Sequence, residues 1–340
     1  MEKVRLFLLT TFLAIFSYAL IVIHNTIIPD TPRFQNSEVW LKYLYILKDY
    51  INAKPTTKQR LLIVSGSNSL FGFDSALIDS QTPFMPINYA THAGLPINYH
   101  IDKILKIAKQ KDIIFLPLEF GYYERGIPNA DFWYIQNMLT WDKDYREFID
   151  ARGIFLAYVK NSEISMLKNF IKSLIRPTPT PTNPIATMQE KWQNPQEFEG
   201  YTYTSLNRYG DFCTQVGALF RGNPSYLDSH LTLSPFFLAQ YARLLEFAKT
   251  KHIKVFLTYP TTMENPDFSL DDPKTLAKIE NLQTQLKAHN IEIYGDFRDF
   301  HFERKYFFDT PYHLNSEGAR LRTQAFIKLL EQMAQEGLLE

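Results

Sequence analysis

Five short apolar runs in the chain beyond residue 60, with helical patterns between most of them, constrain the fold more than any other feature. The runs have the length of strands and cover Leu61–Ser65, Ile87–Ala90, Ile113–Leu118, Val255–Tyr259 and Ile291–Tyr294. The spacing of apolar residues predicts helices over Ile97–Lys109, Pro235–Lys251 and Pro273–His289. Strands that alternate with helices of this length need crossover connections, so the sequence predicts an α/β fold with a mostly parallel sheet.

The alternation stops between residues 121 and 233. That stretch has helical patterns around Tyr145–Ile175, followed by a proline-rich segment over residues 176–184 that is incompatible with helix or with an inner strand. We therefore expect a mainly helical insertion over 121–233 between two halves of one domain, 61–120 and 234–340. Residues 31–60 form a connector, with a helix expected over Glu38–Ile51.

The N-terminal segment, residues 1–30, is the most apolar part of the chain. Residues Leu6–Pro29 carry no formal charge, and about 20 such residues span a bilayer core as a helix. Lys3 and Arg5 precede this run, so the positive-inside rule places a short tail in the cytoplasm and the body outside it, in the periplasm or at the cell surface. We expect an uncleaved anchor; the alternatives are a signal peptide cleaved after Ser17-Tyr18-Ala19 and a buried helix of a soluble protein.

Charge and cysteine content narrow the function classes. The chain has 36 Lys and Arg and 36 Asp and Glu, whereas a nucleic-acid-binding protein normally shows a basic surplus, so no nucleic-acid partner is expected. A single cysteine, Cys213, excludes an intramolecular disulfide and any metal site built from several cysteines. The histidines show no metal-ligand spacing, and we expect neither a metal nor an organic cofactor.

A run of small residues follows the first predicted strand. Ser65, Ser67 and Ser69 alternate there, before a helix expected to start near Asp74-Ser75. Ser67 follows Gly66, which permits a tight bend, and the Ser67 N–H can face a developing oxyanion, so Ser67 is the candidate nucleophile and Ser69 the alternative. The competing interpretation is an ordinary strand-to-helix turn. Neither a Gly-x-Gly-x-x-Gly motif nor a P-loop lysine is present.

A carboxylate and an imidazole lie four residues apart near the C-terminus. Asp309 and His313 flank Pro311, which prevents regular helix, so the loop can bring the two side chains together. An imidazole oriented by a carboxylate can act as general base to a serine, and Asn315 would cap the helix that follows. A surface loop with a solvated histidine is the other interpretation. A third loop, after the second strand, offers the Gly94 N–H as a weaker candidate oxyanion donor.

Together the serine turn, the glycine loop and the Asp309…His313-Leu314-Asn315…Gly318 block resemble the SGNH/GDSL hydrolase superfamily. The similarity covers residues 61–119 and 254–335. Within the superfamily the chain looks most like the membrane-anchored extracytoplasmic branch, which includes the alginate and peptidoglycan O-acetylation proteins and the teichoic-acid D-alanylation protein. It departs from the family pattern after the third strand, where Leu118-Glu119-Phe120 stands in place of Gly-x-Asn-Asp.

The resemblance implies a flavodoxin-like, three-layer α/β/α fold and a Ser-His-Asp triad. Ser67 would be the nucleophile, His313 the general base and then acid, and Asp309 the residue that orients His313. The expected activity is an O-acyltransferase or esterase acting on acyl esters of a cell-envelope glycan, with a multi-spanning membrane-bound O-acyltransferase as acyl-exporting partner. The alternative is a non-catalytic scaffold that binds a glycan or a partner in an envelope acylation system.

Overall fold

The computed structural model describes residues 2–27, 39–126, 181–195, 197–212, 217 and 220–339, with positions 138, 141–153, 155, 168, 171 and 175. It divides into two compact units. The first comprises Met1–Lys42 and Pro128–Thr182, and the second comprises Tyr43–Ile127 and Asn183–Glu340. Most of the proline-rich segment, much of the helical pattern over 145–175, and Cys213 lie outside the described residues.

The first unit contains the apolar N-terminal helix α1, Glu2–Ile27. Its first 20 residues, Glu2–Ile21, have a mean hydropathy of 2.0, and none of its most apolar window is buried. The helix is therefore long and apolar enough to serve as a membrane anchor or a signal sequence. A short 3₁₀ helix, Lys143–Phe148, also belongs to this unit.

The second unit is built on a parallel sheet. The seven strands of the described chain are β1 (Gln59–Ile63), β2 (Phe84–Asn88), β3 (Ile113–Leu116), β4 (Lys254–Thr258), β5 (Thr262–Met263), β6 (Ile293–Tyr294) and β7 (His301–Phe302). Five of them form one sheet in the order β2-β1-β3-β4-β6, and every pairing in it is parallel. The predicted α/β class and its mostly parallel sheet are thus confirmed. The small parallel pair β5–β7 was not expected from the sequence.

Helices connect the strands, and several of them begin at a side-chain cap. They are α2 (Val39–Ala53), α3 (Ser67–Leu70), α4 (Ser75–Gln81), α5 (Ile97–Ile107), α6 (Gly121–Glu124), α7 (Pro184–Lys191), α8 (Pro235–Thr250), α9 (Pro273–Ala288) and α10 (Ser316–Gln335). Ser234 caps α8 by accepting the Phe237 N–H at 3.0 Å, with proline at the first helical position. The predicted connector helix is α2, one residue later at its start and two residues later at its end.

Aromatic side chains fill the space between the sheet and the C-terminal helix. Phe115 of β3 packs edge-on against Phe326 of α10, with ring centroids 4.9 Å apart, and Phe256 of β4 lies 5.3 Å from Phe115. Phe73, beyond the serine turn, contacts the same Phe326 ring at 5.2 Å. The helix that follows the Asp–His loop is therefore fixed to the sheet and to the serine turn by one apolar cluster.

Candidate functional site

The serine turn begins where β1 ends and passes directly into α3 at Ser67. This one-turn helix was not predicted, because its N-terminus is capped from a distant part of the chain. The Glu119 carboxylate, which follows β3, accepts the Gly66 N–H at 3.1 Å and the Asn68 N–H at 3.0 Å. A Cβ at position 66 would lie 2.5 Å from that carboxylate and 2.6 Å from Ala93, so only glycine fits there.

The three serines of the turn have different environments. Ser65 and Ser69 are fully buried and hydrogen-bond each other at 2.6 Å, and Ser65 also accepts the Asn68 side-chain amide at 3.1 Å. Ser67 retains 7% exposure, and its hydroxyl makes no hydrogen bond to any residue that the structure describes. Of the three hydroxyls, that of Ser67 is therefore the one available to a ligand.

The C-terminal loop brings Asp309 and His313 together. His313 Nδ1 lies 2.8 Å from Asp309 Oδ1, and the loop is closed by a backbone hydrogen bond from the Phe308 N–H to the His313 carbonyl, also 2.8 Å. As predicted, Asn315 caps α10 by accepting the Gly318 N–H at 3.0 Å. Burial acts to raise the pKa of Asp309, but its hydrogen bonds with His313 and Tyr201 outweigh that effect and hold the pKa below its ordinary value.

Tyr201 is the site residue that sequence reasoning missed. Its hydroxyl donates to Asp309 Oδ2 at 2.7 Å and lies 3.1 Å from His313 Nδ1. The turn before it is fixed by Gly200, whose φ of +93° is unfavourable for other residues, and by Ser205, which donates to the Gly200 carbonyl at 2.7 Å. Tyr201 belongs to no motif, and only its place in a tyrosine-rich segment of the insertion could have drawn attention to it.

Phe71 joins the serine turn to the Asp–His loop. The His313 ring stacks on the Phe71 ring with centroids 4.0 Å apart and planes within 6°. Phe71 ends the turn that Ser67 begins, since its N–H donates to the Ser67 carbonyl at 3.1 Å. The imidazole therefore lies against the first helical turn after the candidate nucleophile, although no hydrogen bond joins His313 to the Ser67 hydroxyl in this structure.

A buried arginine supports the turn from the side of α10. Arg322 is fully buried and donates to the Asn68 carbonyl at 2.8 Å and to the Asn68 side-chain oxygen at 2.9 Å. Burial lowers the pKa of this guanidinium to about 9, against the opposing influence of the Glu119 charge. The same carboxylate that caps the turn thus provides a counter-charge for the cation that joins the turn to α10.

The two candidate oxyanion donors differ in whether their amide already donates a hydrogen bond within the protein. The Gly94 N–H donates to His92 Nδ1 at 2.9 Å, so in this structure that amide is used within its own loop. Burial, with the charges of His313 and His100, lowers the pKa of His92 to about 3, which keeps the ring neutral and its Nδ1 able to accept. The Ser67 N–H, by contrast, donates to no group among the described residues.

The described residues contain no group of three or more His, Cys, Asp and Glu side chains that could hold a metal ion. The fold and the site together define an α/β protein that carries a serine turn and an Asp–His–Tyr cluster on loops beyond its parallel sheet. No family model, no curated protein and no solved structure matches this chain.

Proposed function

We propose that the protein is a serine-dependent O-acyltransferase or esterase of the SGNH type that acts on acyl esters of a cell-envelope glycan. The Asp309–His313 contact of 2.8 Å carries this proposal, because a Ser-His-Asp triad needs such a carboxylate–imidazole pair as its base half. The strand order β2-β1-β3-β4-β6 supports a flavodoxin-like arrangement, because it corresponds to the order 2-1-3-4-5 once β6 is counted as the fifth strand of this sheet. In such sheets, ligands bind beyond the carboxyl ends of the strands, where the Ser67 turn lies.

In the proposed reaction, His313 takes the proton of the Ser67 hydroxyl while Oγ attacks the acyl carbonyl carbon. The tetrahedral oxyanion accepts the Ser67 N–H, and its collapse expels the alcohol, which receives the proton from His313. A sugar hydroxyl or water then attacks the acyl-enzyme as His313 takes its proton, and the departing Ser67 oxygen receives that proton from His313. Ser67 and His313 share no hydrogen bond in this structure, so the proposed reaction requires the serine side chain to turn toward the ring.

The compartment follows from the N-terminal helix, if that helix is an uncleaved anchor. A body outside the cytoplasm has no direct access to cytoplasmic acyl donors, and one span is too little to form a path for an acyl group. We therefore place a multi-spanning membrane-bound O-acyltransferase beside this protein as its acyl exporter. Direct acylation of glycan by the purified protein with acyl-coenzyme A would remove the need for that partner.

The proposed activity is tested by hydrolysis of a chromogenic acetyl ester by the purified full-length protein. We expect Ser67→Ala and His313→Ala each to lose about 10³-fold or more, and the double variant to lose no more than either alone, because triad members act as a unit. Ser69→Ala is the matched control. Labelling by a serine-directed sulfonyl fluoride should fall on Ser67; label on Ser69, or full activity in Ser67→Ala, contradicts the assignment.

One feature favours the non-catalytic alternative. The amides of Gly66, Asn68 and Gly94 all donate within the protein, so among these three amides and that of Ser67, only the Ser67 amide is open to an oxyanion. A scaffold that holds a glycan against its aromatic surface would need no oxyanion donor at all. Restoration of polymer acylation in cells by the Ser67→Ala variant would identify the protein as such a scaffold.

A further inference from the structure

A cavity of about 890 Å³ opens at the amino ends of the strands, opposite the end of the sheet at which the serine turn lies. It lies where β1, β3 and β4 begin, whereas Ser67 follows the carboxyl end of β1. Its lining includes one carboxylate residue, Asp112, and five cationic residues: Lys58, Arg60, Lys109, Lys111 and Lys254. The whole chain has no net charge, so this basic concavity is a local concentration of positive charge.

Ion pairs engage two of these five cations, and a third, Lys254, donates to the Leu338 carbonyl at 2.9 Å. Asp112 is buried and is held by Arg60, which donates to its two oxygens at 2.8 and 3.0 Å. Lys58 is held at the rim by Asp79, 2.7 Å away. The ammonium group of Lys109 donates only to a neutral acceptor, the Asn52 carbonyl at 3.3 Å, and Lys111 makes no side-chain hydrogen bond or ion pair to any described residue.

Two of the lining residues adopt a backbone conformation that favours glycine. Lys111 has φ of 66° and His252 has φ of 53°, and the Lys111 N–H donates to the Lys251 carbonyl at 3.1 Å, which joins the two turns. A residue with a Cβ is disfavoured at such positions, so glycine or asparagine is usual. Both turns place a residue with a nitrogen-bearing side chain in the lining of the cavity.

We propose that this basic cavity binds a phosphate group. Several ammonium donors around one concavity suit a compact anion whose acceptor oxygens are arranged tetrahedrally, whereas a carboxylate offers only two oxygens in one plane. Lys109 and Lys111 supply exposed donors, and the Arg60–Asp112 pair is the buried part of the lining. The phosphate can belong to a soluble anion or to the headgroup of an anionic lipid, and the experiment separates these sources.

The test is calorimetric titration of the full-length protein in a neutral detergent. The probes are inorganic phosphate, acetate, dihexanoyl-phosphatidylglycerol and dihexanoyl-phosphatidylcholine, at constant ionic strength. We expect saturable binding of inorganic phosphate or of the anionic lipid, and weakening of about tenfold or more in a Lys109→Gln/Lys111→Gln variant, since each charge-assisted hydrogen bond changes affinity by roughly that factor. Binding of phosphatidylglycerol without binding of inorganic phosphate identifies a site for a lipid headgroup. Binding of inorganic phosphate identifies a site for a soluble ligand.

The matched control is Lys274→Gln/Lys287→Gln, which removes the same charge from exposed positions of α9 and should bind like the wild type. Lys109 and Lys111 are exposed, and an unchanged unfolding temperature in chloride checks that their variant is folded. Binding by neither phosphate probe overturns the proposal. So does equal binding by the two double variants, equal affinity for acetate and phosphate, or equal affinity for the two lipids. Activity toward esters is not a readout, so failure here leaves the Ser67 proposal untouched.

Discussion

The fully buried Lys48 of α2 makes the stability of the fold depend on pH. Its ammonium group donates to the Asn88 carbonyl at 2.7 Å and to the Gly210 carbonyl at 2.8 Å, and so joins α2 to the end of β2 and to the segment that carries Tyr201. Burial lowers the pKa of Lys48 from 10.5 to about 7, against the opposing charge of Asp211. The residue therefore titrates near neutral pH in the folded protein and far above it in the unfolded chain.

The sign of the effect on stability follows from proton binding. Between pH 7 and pH 10.5 the unfolded chain binds more protons at this residue than the folded protein does, so the free energy of unfolding rises with pH in that window. From pH 7 to pH 9, one such group contributes about 2 kcal/mol, at roughly 1.36 kcal/mol per pH unit once the folded form is deprotonated. Below pH 7 the lysine is charged in both states, and its contribution no longer changes with pH.

Lys48→Met removes this pH-dependent contribution to the free energy of unfolding and leaves two buried carbonyl groups without their donor. Each lost partner costs about 1–3 kcal/mol. We therefore expect the variant to be less stable than the wild type at pH 9, and the difference between the two proteins to shrink by about 2 kcal/mol at pH 7.

The assay is urea unfolding of full-length protein in neutral detergent, followed by tryptophan fluorescence at pH 7, 8 and 9. Lys274→Met, at an exposed position, is the matched control, and its stability should run parallel to that of the wild type. The difference in free energy of unfolding between two variants cancels the contribution of the other titrating groups, provided that both variants have the same slope against urea concentration. A constant difference between wild type and Lys48→Met from pH 7 to pH 9 would refute the assignment of a near-neutral pKa to Lys48.

Three further predictions concern the site and the anchor. Tyr201→Phe removes the hydrogen bond to Asp309 Oδ2, so we expect a roughly tenfold fall in kcat with little change in KM. We also expect the acid limb of the pH–rate profile to move to higher pH. An unchanged profile contradicts a positioning role for Tyr201. Glu119→Gln leaves one of the two amides at the serine turn without an acceptor and removes the counter-charge of the buried Arg322. It should therefore cost at least about 1–3 kcal/mol in urea unfolding, whereas equal stability would show that the carboxylate is dispensable. If α1 is an uncleaved anchor, the protein should stay in the membrane fraction after carbonate washing, and a mature N-terminus at Leu20 found by mass spectrometry would rule this out.

Local sequence patterns were sufficient for most elements of the second unit. The strand runs, the connector helix and the helices at Pro235 and Pro273 lie within about two residues of their predicted bounds at most ends, because burial periodicity and caps act over neighbouring residues. The contact between Asp309 and His313 also follows from their spacing around Pro311. Both side chains belong to one short loop, and the Asn315 cap fixes where that loop must end.

Tertiary structure alone decided what surrounds those residues. Glu119 reaches the serine turn across 51 residues and Tyr201 reaches Asp309 across 108, and neither pairing leaves a periodic trace in the sequence. The use of the Gly94 amide by His92, and the mutual hydrogen bond that engages Ser65 and Ser69 but not Ser67, depend on side-chain directions that spacing does not encode. Local patterns fix where the chain turns, because turns and caps are satisfied by neighbouring residues. Which polar groups meet after folding depends on how the strands align, since buried donors and acceptors must find partners wherever the sheet brings them together.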